Sequence, residues 1–255
     1  MPLLNLRLAA PAVLIDINDI AALRGITREA GHITIGALER HADIASSDVV
    51  QQALPLLVEA APHIAHVAIR ERGTIGGSLV LADPAAEWPA CCLTLNAEIE
   101  LTSTRGVRHV AAKDFFQGIY ETARHADELL TAIRFPLGDA TGGVVHYFDE
   151  ISRRRGDFAI AGLALACRRN GKKLIDVRLG LLGVADRPIL AKDAMAAIEG
   201  QEVDRQTVEA ASAALYAELA PPDDPAYPSA YRRRIACVIL QRALENFLPE
   251  GAHAA

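Results

Sequence analysis

The chain has 255 residues, of which 51% are hydrophobic and 23% charged, so it can bury one large core or two smaller ones. Its net charge is −6 and no basic run is longer than Arg153–Arg155, which argues against a nucleic-acid partner. No apolar run approaches the roughly 20 residues of a membrane-spanning helix, and the first residues lack the pattern of a signal peptide. We therefore expect a cytoplasmic protein that does not span a membrane.

The first half of the chain is predicted to mix short strands with helices. The pattern of apolar residues predicts a buried strand at 13–17, a second strand at 33–35, and a helix over 48–61 that Asp48 would cap. A short helix from Pro62 leads towards a glycine-rich string. The elements predicted after that string are a helix, a hairpin and a strand, at 87–95, 99–110 and 130–135.

The second half is predicted to be a small sheet followed by helices. Residues 136–143 are short of apolar residues and rich in Gly and Pro, which indicates a domain boundary. Three strands are predicted next, at 144–150, 158–168 and 174–182. Asn170-Gly171 between the last two is typical of a type I′ hairpin turn. Three helices complete an α+β arrangement, at 190–199, 204–220 and 229–248.

The residues that usually hold metals or act as nucleophiles are not arranged for either role. No two cysteines form a Cys-x-x-Cys pair, so we expect buried thiols and no iron–sulfur cluster on this chain. A structural role is favoured for the neighbouring histidines His63 and His66. No Gly-x-Ser-x-Gly string occurs, and no motif typical of metal ligands is present, so we expect no catalytic residue and no metal ligand on this chain. The cysteines are Cys91, Cys92, Cys167 and Cys237.

The glycine-rich string at 73–78 is the most informative feature of the sequence. Glycines at 73, 76 and 77 let the backbone turn tightly and approach another molecule. Without a Cβ at Gly76 and Gly77, consecutive N–H groups would be bared to negative oxygens. Thr74 and Ser78 add hydroxyl donors, and Asp83 adds a carboxylate. The string suits a nucleotide cofactor, whereas an isolated Gly-Gly pair would indicate a plain turn.

Residues 69–90 resemble the FAD-binding loop of the flavin subunit of molybdenum hydroxylases, the xanthine dehydrogenase and aerobic carbon monoxide dehydrogenase family. The matching strings are Ile-Arg-Glu-Arg-Gly-Thr-Ile-Gly-Gly-Ser at 69–78 and Ala-Asp-Pro-Ala-Ala-Glu-Trp-Pro-Ala at 82–90. Segments 127–136, 154–159 and 231–244 also agree with the family pattern, so the resemblance covers nearly the full length.

The resemblance implies a fold and a site. The fold would be α+β, with an FAD-binding domain of the PCMH-like type over 1–138. A smaller domain of the carbon monoxide dehydrogenase flavoprotein type, with a three-stranded antiparallel sheet and a helical bundle, would follow over 143–250. The diphosphate and ribityl chain would be bound by Thr74, Ile75, Gly76, Gly77 and Ser78, and a cofactor hydroxyl by Asp83. Leu129 would pack near the flavin or adenine, and Phe158 would cover the isoalloxazine face.

The resemblance also implies a function in electron relay. A large partner subunit would oxidise substrate at a molybdenum cofactor, and a small partner would pass electrons through [2Fe–2S] clusters. The flavin subunit would deliver electron pairs from FAD to NAD, quinone or oxygen. The expected assembly is a dimer of heterotrimers.

Two departures from the family pattern leave alternatives open. Asp149–Glu150 stands where the family has a lysine close to the flavin. The family also begins with an Ala-Gly-Gly-x-Ser loop, so we expect that the true start lies upstream of Met1 or that this chain has lost the loop. One alternative is therefore a flavin-deficient structural subunit of such a complex. A stand-alone FAD oxidoreductase is the other, and the family-like segment 143–248 counts against it.

Overall fold

The computed structural model describes residues 2–5, 7, 9–137 and 143–247. Within them the strands are β1 Ile26–Glu29, β2 His32–Gly36, β3 Glu98–Ser103, β4 Gly106–Ala111, β5 Phe116–Gly118, β6 Glu121–Thr122, β7 Leu129–Pro136, β8 Val144–Ser152, β9 Ala159–Asn170, β10 Lys173–Leu182 and β11 Ile189–Leu190. The α-helices are α1 Pro2–Asn5, α2 His41–Ser46, α3 Asp48–Ala53, α4 Pro55–Ala60, α5 Val67–Arg70, α6 Ile75–Leu81, α7 Glu87–Thr94, α8 Ala112–Phe115, α9 Lys192–Ile198, α10 Arg205–Glu218 and α11 Ser229–Glu245. Short 3₁₀ turns occur at Ala21–Leu23 and Ala61–His63.

The N-terminal half, residues 9–137, is built on a five-stranded antiparallel sheet in the order β1-β2-β7-β3-β4. The predicted strands at 33–35 and 130–135 and the predicted hairpin at 99–110 are confirmed. Ile33 pairs with Phe135 and Ile99 with Ile133, so the fully buried side chains of neighbouring strands come together. The helices between β2 and β3 add the rest of this core, including Trp88.

The predicted helix over 48–61 is two helices, α3 and α4. Pro55 has no N–H to donate, and it begins α4 while Leu54 leaves the helical region at φ −135°. The predicted cap is also one residue off. Asp48 is the first helical residue, and the Ser47 side chain accepts the capping hydrogen bond from Val50 N at 3.4 Å.

The predicted buried strand at 13–17 is wrong. This segment has no regular secondary structure, and Val13, Leu14 and Ile15 are 74%, 64% and 83% exposed. An apolar run indicates burial only when another strand or helix covers it, and none does within the described residues.

The C-terminal half, residues 143–247, has an antiparallel sheet in the order β11-β10-β9-β8. The three predicted strands are confirmed as β8, β9 and β10, with the two-residue β11 added at the edge. The predicted helices are confirmed as α9, α10 and α11. They pack on one face of this sheet around a second core that includes Leu165, Leu179 and Leu240. Of the predicted boundary at 136–143, residues 138–142 lie outside the described residues.

The predicted hairpin between β9 and β10 is confirmed, but its turn is not type I′. Asn170 pairs with Lys173, so the turn residues are Gly171 and Lys172. Only Gly171 has a positive φ, of 62°, whereas a type I′ turn needs two such residues.

The two halves meet along a seam between α7 and the free face of the second sheet. Arg178 on β10 donates to the carbonyl oxygens of Leu93 and Thr94 at the end of α7, at 2.7 and 2.8 Å. Gly183 N donates to Pro84 O at 2.8 Å. These bonds fix the turn that follows α6 against the second sheet. No helix in the described part of the chain is both long and apolar enough to cross a membrane.

Candidate functional site

The glycine-rich string forms the start of α6. Thr74 is the N-cap, and its Oγ1 accepts a hydrogen bond from Gly77 N at 3.1 Å. The helix ends at Ala82, whose φ of 53° turns the chain towards Asp83. Thr74 and Ser78 are half-buried and Gly77 is exposed, so their polar groups stand at the surface of the turn.

The amides of the string are not bared as the sequence predicted. Ile75 N donates to Glu39 O at 3.1 Å, and Gly76 N donates to Ala37 O at 2.9 Å. A Cβ on Gly76 would lie 2.7 Å from that same Ala37 oxygen, so glycine is needed there for close packing of α6. The side chain of Ile75 is fully buried. As contacts for a cofactor, residues 74–78 stay a prediction.

His41 lies directly beneath the turn and supports it. Its amide donates to Gly73 O at 3.1 Å, and a Cβ on Gly73 would lie 2.6 Å from its Nε2. The His41 Nδ1 accepts a hydrogen bond from the indole of Trp88 at 2.8 Å. Burial, followed by the charges of Arg40 and Arg70, lowers the pKa of His41 to about 4. The ring is therefore neutral at neutral pH and forms a fixed floor.

Asp83 lies in a tight turn just after α6, at the opposite end of that helix from Thr74. Its Oδ1 accepts from Ala85 N at 2.9 Å, while its Oδ2 lies 3.5 Å from the Tyr120 hydroxyl. Burial, and then the neighbouring Asp83 charge, raises the pKa of the Tyr120 phenol. Sequence reasoning missed Tyr120, because it is 37 positions from Asp83 and belongs to no motif.

The two predicted apolar contacts, Leu129 and Phe158, are both solvent-exposed, at 38% and 69%. Leu129 begins β7, two residues before Thr131, whose carbonyl oxygen accepts from Ala37 N at 3.0 Å. The same Ala37 accepts from Gly76, so Leu129 is tied to the base of α6. Phe158 precedes β9 on the loop that follows β8. An exposed phenylalanine leaves a ring face free to stack on a planar group.

The loop that carries Phe158 packs back onto the N-terminal half. A Cβ on Gly156 would lie 2.7 Å from the His66 ring, and Gly183, beside the carbonyl oxygens of Ala159 and Ile160, is hydrogen-bonded to Pro84. The structure thus brings the loop at 152–158 to the residues that precede the glycine string and the start of β9 to the Asp83 turn.

A cavity of about 430 Å³ opens at the seam between the two halves. Glu150 lines it, and the Glu150 side chain is only 3% exposed. Its Oε2 has no hydrogen-bond partner among the described residues, and its Oε1 lies 3.8 Å from His63 Nδ1, beyond hydrogen-bond distance. The full lining is Pro62, His63, Glu150, Ile151, Ser152, Arg154, Arg155 and Gly156.

Glu150 and its neighbour Asp149 occupy the place of the expected lysine, and they face opposite sides of β8. Asp149 faces the helices, with its Oδ2 3.6 Å from an Arg242 nitrogen and 3.3 Å from the Tyr147 hydroxyl. Glu150 faces the seam. Burial, and then the charges of Glu87 and Asp149, raises the pKa of Glu150 to about 9. The sequence showed the missing lysine but not the opposite orientations of the two acids.

These features fit a flavin dinucleotide. Thr74 and Ser78 present hydroxyl groups at the surface of the turn, and Asp83 follows the same helix. Phe158 is an exposed aromatic ring on the loop that packs beside His66, and Glu150 is a buried acid at the seam without a hydrogen-bond partner among the described residues. Gly76 of the glycine-rich string is also required for the close packing of α6 against Ala37.

Comparisons with known proteins agree with this reading of both halves. Residues 1–138 match the FAD binding domain in molybdopterin dehydrogenase, and residues 146–247 match the CO dehydrogenase flavoprotein C-terminal domain. The chain is 37% identical to the carbon monoxide dehydrogenase medium chain of Afipia carboxidovorans, over 96% of this chain and 85% of that one. It is 34% identical to the glyceraldehyde dehydrogenase medium chain of Sulfolobus acidocaldarius, over 96% and 86%.

The fold is similar to that of solved relatives as well. The carbon monoxide dehydrogenase structure from Hydrogenophaga pseudoflava superposes with a TM-score of 0.91 at 37% identity, covering 96% of this chain and 84% of the other. The sequence resemblance and the expected α+β fold are therefore confirmed. The chain belongs to the family of FAD-binding medium subunits of molybdenum hydroxylases.

Proposed function

We propose that this chain relays electrons inside a multi-subunit molybdenum hydroxylase. The observation that carries the proposal is the family match over both halves. Glu150 at the seam, unpaired among the described residues, and the exposed Phe158 on the loop after β8 support it. The electron donor would be a small [2Fe–2S] subunit, and the acceptor NAD, quinone or oxygen. When bound, FAD supplies the ability to accept electrons singly and release them in pairs.

The residues of this chain would place the cofactor and shield it. The hydroxyl groups of Thr74 and Ser78 would donate to diphosphate oxygens, and Asp83 would accept from a cofactor hydroxyl. The backbone at 75–77 would define the shape of the turn beneath the diphosphate. Leu129 and Phe158 would cover apolar faces of the cofactor and keep water from them.

The partners we propose are a large molybdenum-cofactor subunit, where substrate is oxidised, and the small [2Fe–2S] subunit, assembled as a dimer of heterotrimers in the cytoplasm. The absence of cluster-type cysteine spacing in this sequence supports placing the clusters on a partner. We also propose that the two halves are separate domains, 1–138 and 143–250.

Purification of the tagged full chain from its native host tests this function. We expect a complex that contains molybdenum, iron and flavin, with the metals remaining after gel filtration. A monomer that carries flavin, contains neither metal and oxidises an organic substrate by itself would contradict the relay and favour a stand-alone oxidoreductase. A metal-containing complex without flavin would favour a purely structural subunit.

A further inference from the structure

Among the described residues, Glu150 is an acid without a hydrogen-bond partner, and it lines a cavity large enough for a ligand. Its side chain is 97% buried, given the 3% exposure noted above. Buried polar groups almost always have a partner, so an unpaired carboxyl group beside a cavity of about 430 Å³ requires an explanation. Cavities that bind small molecules have volumes of about 300–1,000 Å³.

The groups around Glu150 keep it protonated at neutral pH. From α7, Glu87 opposes its ionisation, and burial raises the pKa of Glu87 itself to about 7. Asp149 on the same strand acts in the same direction as Glu87. The remaining titratable or charged groups near it are His63 at 3.8 Å, the arginines of the cavity wall, Glu59 with its partner His146, and Cys91.

A neutral carboxylic acid presents a hydrogen-bond donor and an acceptor side by side. That pair is complementary to an amide or imide edge, in which a carbonyl oxygen stands next to an N–H group. A carboxylate could not donate, and would repel the carbonyl oxygen. A planar ring with such an edge is the ligand chemistry that this cavity suits.

We propose that the buried carboxyl group of Glu150 is the part of the seam cavity wall that hydrogen-bonds the imide edge of the flavin ring. This inference rests on the proposed function, because it takes the flavin as the occupant. The loop at 152–158 forms part of the cavity and ends at the exposed Phe158. In the chain, a segment of ten residues that includes the short helix α5 connects the cavity residue His63 to the turn at Thr74. Glu150 would thus take the place in this chain of the lysine that the sequence lacks.

Two variants of Glu150 and one control variant distinguish the contribution of its hydrogen bonds to ligand binding from the contribution of its side-chain shape. Glu150→Leu keeps the approximate volume but cannot hydrogen-bond, whereas Glu150→Gln keeps a donor and an acceptor. Glu59→Gln is the control, because Glu59 is a seam acid that pairs with His146 at 3.3 Å. Circular dichroism and thermal unfolding establish that each variant is folded.

Three probes separate the ring from the diphosphate: riboflavin carries the ring without the diphosphate, ADP carries the diphosphate without the ring, and FAD carries both. We expect Glu150→Leu to weaken riboflavin and FAD binding about tenfold or more and to leave ADP binding unchanged. Glu150→Gln and Glu59→Gln should bind all three probes nearly as the wild type does. Nicotinamide mononucleotide tests a carboxamide ring, and a loss confined to that probe would overturn the flavin assignment.

The pH dependence gives a second readout that folding alone would not produce. Wild-type affinity for riboflavin should hold up to about pH 9 and fall above it, where Glu150 ionises. Glu150→Gln should lack that fall, apart from any titration of the ring itself. Equal riboflavin and FAD affinity in the wild type and Glu150→Leu would overturn this inference while leaving the proposed function intact. Failure of the wild type to bind FAD at all would instead refute the proposed function.

Discussion

The glycine turn and the seam differ in how their polar groups are used. At the turn, the amides of residues 75–78 all donate to groups of the chain itself. At the seam, Glu150 Oε2 has no partner in the part of the chain that the structure describes, and on the neighbouring loop Phe158 is 69% exposed. The amides of the glycine string are therefore engaged by packing, and only its hydroxyl groups remain at the surface, whereas the seam holds a buried acid that is unpaired among the described residues.

At the turn, the largest expected effect comes from filling the space that glycine leaves. Gly76→Ala would place a Cβ 2.7 Å from Ala37 O, so we expect the free energy of unfolding to fall by about 1–3 kcal/mol and FAD binding to weaken with it. Chemical denaturation followed by fluorescence of Trp88, the one tryptophan of the sequence, measures this change.

Gly143→Ala is the matched control for that measurement, because a Cβ there meets none of the described residues within 4 Å and should leave stability unchanged. Wild-type stability in Gly76→Ala would show that the turn is not the tightly packed support described above.

At the seam we expect a stability effect that depends on pH. Folded Glu150 keeps its proton up to about pH 9, whereas the unfolded residue loses it near the ordinary pKa of 4.5. Between these values the folded state binds more protons, so rising pH favours unfolding by up to about 1.4 kcal/mol per pH unit. This contribution to stability is fully present below pH 4.5 and is lost as the pH rises to about 9.

Urea unfolding of the wild type and Glu150→Gln at pH 5 and pH 8 tests this sign. The variant should gain stability over the wild type as the pH rises. Parallel pH dependence of the two proteins would mean that Glu150 is ionised in the folded state.

A smaller effect is expected at the helix cap of the turn. Thr74→Ala removes the acceptor for Gly77 N and should lower the free energy of unfolding by about 1 kcal/mol. Thr74→Ser keeps the hydroxyl and should preserve both stability and FAD affinity. If Thr74→Ala and Thr74→Ser are equally stable, the cap has no measurable role.

The smallest effect on stability is expected at Phe158, where cofactor affinity should change instead. Because the ring is largely exposed, Phe158→Ala should alter stability by less than about 0.5 kcal/mol. Loss of stacking should weaken FAD binding about three- to tenfold, and Phe158→Tyr should restore it. Fluorescence titration with FAD gives these affinities, and an unchanged affinity in Phe158→Ala would remove Phe158 from the site.

The fold was largely predictable because local sequence patterns indicate most of its helices and strands. Asn170-Gly171 signalled a hairpin, and the apolar periodicity of 229–248 signalled α11. The prediction failed at Val13–Ile17, where burial would require a neighbour that the segment itself does not specify. Pro55 was visible in the sequence, but the break it causes between α3 and α4 was overlooked.

The site was predictable only as far as its motif extends. The string at 69–90 located the turn, but its amides were wrongly expected to be free, since the carbonyl oxygens that engage them belong to residues 37 and 39. Contacts such as Trp88 with His41, 47 positions apart, and Tyr120 with Asp83 arise from tertiary packing. The orientation of Glu150 towards the seam likewise depends on which face of β8 meets the other half.

We propose above all that this chain holds FAD where its two halves meet, and its flavin content measures that property. The purified full chain is incubated with excess FAD and desalted, and its visible flavin absorbance is compared with its protein concentration. We expect flavin and protein in equimolar amounts, and a loss of flavin from the Glu150→Leu and Phe158→Ala double variant. A folded wild-type chain that emerges colourless would contradict it.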